Sequence, residues 1–151
     1  MSRRHRSSLR ASVLTMVFGV PLVLASIAFG EEAETVPVSI GVFSEEQAEL
    51  GAEAFAQHCA RCHGVSLGGG MGPRLVPLDP GVYRGEPLAK PFAFMRTQMP
   101  LDAPGSLEHD TYLEILTFIL RENGYPTGDE PLSAEDDDAL AQYLLDDPPA
   151  E

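Results

Sequence analysis

The chain has 151 residues, with 23 acidic side chains against ten lysines and arginines and a formal net charge of −13. That length supports one domain with one modest core. So acidic a composition excludes nucleic acid and anionic membrane surfaces as partners, and leaves a protein with a basic face, or plain solubility, as what the charge serves.

The first thirty residues are laid out as an export signal. Arg3, Arg4, Arg6 and Arg10 precede an uncharged apolar run from Ala11 to Phe29, which closes on small residues. Ser26 with Ala28, or Ala28 with Gly30, supplies the small-x-small pair, and cleavage is expected near Gly30. The run is nearly long enough to cross a bilayer, so an uncleaved N-terminal anchor is the competing expectation and the one route by which this chain would meet a membrane. Arg3-Arg4 does not make a twin-arginine signal, because Arg6 and Ser7 stand where apolar residues are needed. Without the leader, six basic residues face 23 acidic ones, a net of −17. The expected location is the periplasm.

Residues 31–43 are acidic and then extended through Val36-Pro37-Val38, with no helical period. They read as a linker or leader strand ahead of a helical domain over 44–147, which an acidic tail, 148–151, follows. Ser44 with Gln47 forms a capping box, and Ala48, Ala52, Phe55 and Cys59 recur at helical spacing, so a first helix is expected over about 44–60. Gly64 to Pro91 holds Gly68-Gly69-Gly70, Gly72-Pro73 and several further prolines, and is expected as a long functional loop. Pro91 suits the first turn of a short helix through Phe92, Met95 and Arg96, stopped by Pro100. Asp110 or Thr111 begins the clearest helix, with Tyr112, Leu113, Ile115, Leu116, Ile119 and Leu120 on its apolar face and Gly124 as its stop. Ser133 with Asp136 repeats the capping pattern before a last short helix through Leu140, Tyr143 and Leu144. Strand signals are few, and the expected fold class is all-α.

Cys59-Ala60-Arg61-Cys62-His63 is the Cys-x-x-Cys-His sequence of covalent haem attachment. On a helical turn, residues three and four apart share a face, so two thiols reach two vinyl groups while the imidazole reaches the iron. A zinc site needs a second ligand pair, yet His5, His58 and His109 are scattered. A thioredoxin-like site needs a preceding strand and parallel-sheet patterning, which are missing. A disulfide between the two cysteines is the remaining rival. The expected cofactor is one covalent haem c, with His63 as proximal iron ligand. For the distal side Met99 is the leading candidate; Met71, Met95, which more readily packs on haem or core, His109 and an open position are the others. An open position would make the protein a haem sensor or haem enzyme rather than an electron carrier.

The chain resembles the class I c-type cytochromes, and among them the cytochrome partners or subunits of periplasmic quinoprotein dehydrogenases. The resemblance spans about Gln47 to Leu132. It rests on Cys59-Ala60-Arg61-Cys62-His63-Gly64, on Gly72-Pro73-Arg74-Leu75, and on Gln98-Met99-Pro100 leading through Ala103-Pro104-Gly105-Ser106-Leu107 into Tyr112-Leu113-Glu114-Ile115-Leu116 and Asn123-Gly124-Tyr125-Pro126. It implies a helical domain around one haem, Met99 as the sulfur ligand, and the carbonyl of Pro73 as acceptor for the second nitrogen of His63. It also implies that the first helix packs on the long one, with Gly51 and Phe55 facing Tyr112, Leu116 or Phe118. The implied role is one-electron transport without substrate chemistry. Electrons would come from a dehydrogenase and pass to an oxidase or another cytochrome of the respiratory chain, the chain acting as a free shuttle or a fixed subunit. The Pro-rich stretch from Val76 to Pro91 departs from the family's often shorter middle segment.

Overall fold

The computed structural model describes residues 34–148; the expected export segment and the last three residues of the tail lie outside them. In chain order the elements are β1 (Val36–Pro37), α1 (Glu45–His58), α2 (Ala60–His63), α3 (Pro80–Tyr83), α4 (Ala89–Gln98), α5 (His109–Glu122) and β2 (Tyr143–Leu144), with 3-10 turns at Val38–Ile40 and Asp137–Gln142. The fold is mainly helical.

The dominant contact is α1 on α5. The Ser44 hydroxyl caps α1 by accepting from the Gln47 amide at 3.2 Å, and Glu45 and Glu46 sit favourably in its first turn. The reciprocal half of the capping box does not form. Instead the Gln47 side chain pairs with the Leu132 backbone, donating to its carbonyl and accepting from its amide at 2.8 Å each. Where the helices cross, Gly51 is necessary: a Cβ there would lie 1.9 Å from the Glu114 carbonyl oxygen and 2.9 Å from the Phe118 Cβ. One turn on, Phe55 and Phe118 meet with ring centroids 5.4 Å apart. Of the partners expected opposite Gly51 and Phe55, Phe118 is therefore the one that the crossing uses.

The interior has two halves, both supplied by α5. Tyr112, Leu113, Leu116 and Leu120 join Val38, Phe43, Leu88, Phe92, Leu132, Leu140 and Leu145 on one side. Ile115, Phe118 and Ile119 join Ala54, Phe55 and Leu67 on the other. Each large apolar side chain buried here contributes about 1.5–3 kcal/mol.

Three differences from the sequence expectation have physical causes. The domain does not begin at 44, because residues 34–43 take the leader-strand alternative over the linker one: Val36 and Pro37 pair in parallel with Tyr143 and Leu144, and Val38 and Phe43 are wholly buried. The first helix stops at His58 and a separate turn carries the cysteines, the break falling at Cys59, whose φ of −120° is stretched from the helical value while its ψ of −34° stays within it. The last helix is a six-residue 3-10 turn capped by Asp136 rather than Ser133, and it ends before Tyr143. There the backbone is claimed by others: the Leu88 amide donates to the Tyr143 carbonyl at 2.9 Å, and Leu145 exchanges hydrogen bonds with Gly85 and Glu86.

The same bonds give the route of the Pro-rich stretch. It leaves the Leu67 region, makes the single turn α3, and runs beside the C-terminal strand before α4 begins at Ala89, two residues ahead of Pro91. Among the described residues, no helix is long and apolar enough to cross a membrane.

Candidate haem-attachment site

Cys59 to His63 form one helical turn. The amides of Cys62 and His63 both donate to the Cys59 carbonyl at 3.0 Å, and the Gly64 amide closes the turn on Ala60 at 2.9 Å. Both cysteines are half-buried free thiols. Burial, then the neighbouring Cys62, pushes the Cys59 thiol up to about 11, which keeps it neutral at ordinary pH.

His63 is only 9% exposed, and its Nδ1 lies 2.8 Å from the Pro73 carbonyl oxygen. A carbonyl can only accept, so Nδ1 carries the proton, and in the neutral imidazole the lone pair then lies on Nε2. The loop between them is folded back on the turn. The Gly69 amide donates to the His63 carbonyl at 2.8 Å and the Gly72 amide to the Cys62 carbonyl at 2.9 Å. Gly72 lies so close to the imidazole that a Cβ would stand 2.9 Å from its Cε1.

Met99 follows α4 as its C-terminal cap, its amide bonded to the Met95 carbonyl at 2.9 Å. Its own carbonyl accepts from the Tyr112 hydroxyl at 2.7 Å and from the Gly105 amide at 3.2 Å. Three residues later, Asp102 pairs with Arg61 at 2.5 Å, which ties the segment after Met99 to the middle of the Cys-x-x-Cys turn. The other distal candidates are placed differently. Met71 is 79% exposed, and Met95 packs against both halves of the core. His109 packs edge-on against Phe92 at 5.2 Å, with its Nε2 sealed from solvent 3.9 Å from Asp137. His58 is exposed.

The residues present fit a covalently held haem. Two thiols and one imidazole with a free Nε2 share a single turn. Beside them Cys59, Leu75, Val76, Leu78, Met95 and Leu107, all half-exposed, rim the Phe55–Ile115–Ile119 half of the core, as a flat apolar macrocycle requires. Among the described residues no cluster of three His, Cys, Asp or Glu could hold a bare metal ion.

Sequence reasoning missed several parts of this site. Gly72 enters the sequence reading as a loop glycine and as part of the Gly72-Pro73-Arg74-Leu75 motif, but not as a contact of His63, although a glycine directly before the expected imidazole acceptor is a signal of close approach. The Tyr112 hydroxyl looked like part of an apolar face, and nothing in the sequence pairs it with Met99. Arg61 and Asp102 are 41 positions apart and pair only through the fold.

The family model for subunit III of cbb3-type cytochrome c oxidase matches residues 46–144. No curated protein matches the chain. Among solved structures, the sulfane dehydrogenase SoxCD from Paracoccus pantotrophus is similar at 21% identity with a TM-score of 0.39, over 76% of this chain; the match spans 61% of that chain's length. Taken with the Cys59–His63 turn, the match over 46–144 is decisive: the chain belongs to the class I c-type cytochromes, in the cytochrome c domain family described by that oxidase subunit, and its domain is one for haem c and electron transfer.

Proposed function

We propose that the chain is a periplasmic mono-haem cytochrome that takes single electrons from a dehydrogenase and passes them to the respiratory chain, transforming no substrate itself. The observation that carries this is His63: its Nδ1 is committed to Pro73, and its Nε2 is free beside two thiols on the same turn.

Cys59 and Cys62 would hold the haem through thioethers, His63 through Nε2, and Met99 through its sulfur. Bound there, the group supplies a one-electron iron couple, and a soft sulfur ligand in an apolar setting favours the reduced form. Pro73 fixes the imidazole orientation. Tyr112 and Gly105 hold the backbone of Met99, and Met95 and Leu107 exclude water from the apolar side. Four-fifths exposure of Met71 and the lodging of His109 against Phe92 support Met99 over both.

Electrons would cross at the edge next to Cys59 and Cys62. There the one basic side chain of the turn, Arg61, is already paired with Asp102. The strongly acidic remainder favours transient, salt-sensitive docking to redox proteins with a basic face, a dehydrogenase as donor and an oxidase or another cytochrome as acceptor. The apolar leader after four arginines supports export to the periplasm, soluble if it is cut and anchored if it is not.

An absorption spectrum of the exported protein, oxidised and reduced, with a pyridine haemochrome assay and carbon monoxide added to the reduced sample, tests the reading. A c-type haemochrome with one haem per chain and no carbon monoxide shift is expected. A prompt shift would overturn Met99 and make the protein a sensor or enzyme; no covalent haem would overturn the whole reading.

A further inference from the structure

We propose that Asn123, at the end of α5, is a positioning residue for the haem iron: it clamps the loop that carries Pro73 and thereby sets how Pro73 meets His63. The proposal rests on the haem reading above.

The Asn123 side chain makes three hydrogen bonds. Its Nδ2 donates to the Ile119 carbonyl at 2.8 Å, closing α5, and to the Leu75 carbonyl at 2.9 Å; its Oδ1 accepts from the Leu78 amide at 2.7 Å. Leu75 and Leu78 bracket Val76-Pro77, so one amide grips both ends of that bend. Only a side chain with a donor and an acceptor side by side does this at so short a reach. Aspartate lacks the donor, and an aliphatic residue lacks both.

From Leu75 the restraint runs to the site along two short paths. The amides of Leu75 and Val76 donate to the Leu67 carbonyl at 2.7 and 3.2 Å, and the Leu67 amide is held by Gly64, next to His63, at 3.1 Å. Two residues before Leu75, the Pro73 carbonyl takes the His63 Nδ1 proton. The loop from Gly64 to Leu78 is therefore anchored at its start by the cysteine turn and at its far end by Asn123. Leu75, Val76 and Leu78 also pack on the Phe55–Ile119 half of the core, but apolar contact is non-directional and tolerates sliding. Asn123 supplies direction.

The consequence falls on His63. A firm Nδ1–H···O=C bond increases the donor strength of Nε2, and a slack one lowers it. A weaker nitrogen donor favours reduced iron, so loosening the loop raises the reduction potential.

The test compares Asn123→Ala with Gln47→Ala in the haem-loaded full chain. Gln47 makes two side-chain bonds to the Leu132 backbone of similar length, and none to residues 64–78. Both variants are expected to lose thermal stability. Asn123→Ala alone is expected to raise the midpoint potential and to shift the proton resonance of His63 Nδ1, with Asn123→Ser, whose neutral hydroxyl can both donate and accept but cannot serve all three partners, in between. If Asn123→Ala does not load haem, Asn123→Ser carries the comparison. A potential unchanged by the Asn123 variants, or changed equally by Gln47→Ala, would reduce Asn123 to a helix cap and overturn the proposal. Absence of covalent haem in the unmutated protein would instead defeat the haem reading, before any variant is made.

Discussion

Tyr112 donates its hydroxyl to the backbone carbonyl of Met99 at 2.7 Å, from a side chain that is itself only 2% exposed. The bond joins the first turn of the most buried helix to the residue proposed to hold the iron through sulfur. Tyr112→Phe keeps the ring and removes the bond. It is expected to cost about 0.5–1.5 kcal/mol in unfolding, more if the carbonyl is left without a partner. It should also speed the exchange of Met99 for added cyanide or imidazole. Stopped-flow ligand binding checks this, and an unchanged exchange rate would count against Tyr112 as a support for Met99.

Gly51 separates α1 from α5, and alanine there sets two effects against each other. Helix propensity favours alanine by about 1 kcal/mol. Overpacking costs about 1–3 kcal/mol and occasionally more, and the obstacle is a backbone carbonyl, that of Glu114, at 1.9 Å from the new Cβ. A carbonyl within a helix cannot swing aside as a side-chain tip can. Gly51→Ala should therefore destabilise, read as a lower denaturant midpoint with an unchanged slope.

Gly72 meets the imidazole itself. A methyl group in its place would press on Cε1 of His63 from 2.9 Å and turn the ring away from Pro73. Gly72→Ala is expected to lower the haem-to-protein ratio of the purified protein. Normal loading with an unmoved potential would show that the ring accommodates the contact.

Tyr125 makes stability depend on alkaline pH. Its hydroxyl donates to the Asp146 carbonyl at 2.5 Å, and burial, then the carboxylates of Asp146 and Asp147, push its pKa up from 10 to about 12, with Arg84 opposing. In the folded chain the neutral phenol persists where the unfolded chain has already ionised. Its stabilisation is complete below pH 10 and is lost as pH rises from about 10 to about 12. Thermal unfolding across that window should show the decline, and Tyr125→Phe should flatten it.

The Arg61–Asp102 pair is a weaker lever on stability than its position suggests. Both side chains are more than three-fifths exposed, so water and dissolved ions screen the pair. A double-mutant cycle should give a coupling barely distinguishable from zero that vanishes with added salt. A large coupling that survives salt would mean that the pair is desolvated when a partner or the haem edge covers it.

Much of the site was legible in the sequence because its information is local. Cys59, Cys62 and His63 lie within five residues, and one helical turn brings them together whatever the rest of the chain does. The α5 pattern from Tyr112 to Leu120 and its Gly124 stop were equally plain, since an apolar face of period 3.6 implies a partner to bury it. The C-terminal helix was misread because the local capping signal at Ser133 and Asp136 competes with distant demands on Tyr143 and Leu145 from Leu88, Gly85 and Val36.

The sequence by itself determined the placing of two thiols and an imidazole on one turn, the helical class and the acidic charge, all of which follow from residue type and short-range spacing. Only the tertiary structure decided that Phe118 and the Glu114 backbone face Gly51, that Val38 and Phe43 ahead of the first helix join the core, that Tyr112 reaches Met99, and that Asn123 grips the loop of Pro73. Each of these joins residues from 13 to more than 100 positions apart, or depends on how closely two backbones approach. Such contacts are chosen by the shared burial of the whole domain, which no local pattern records.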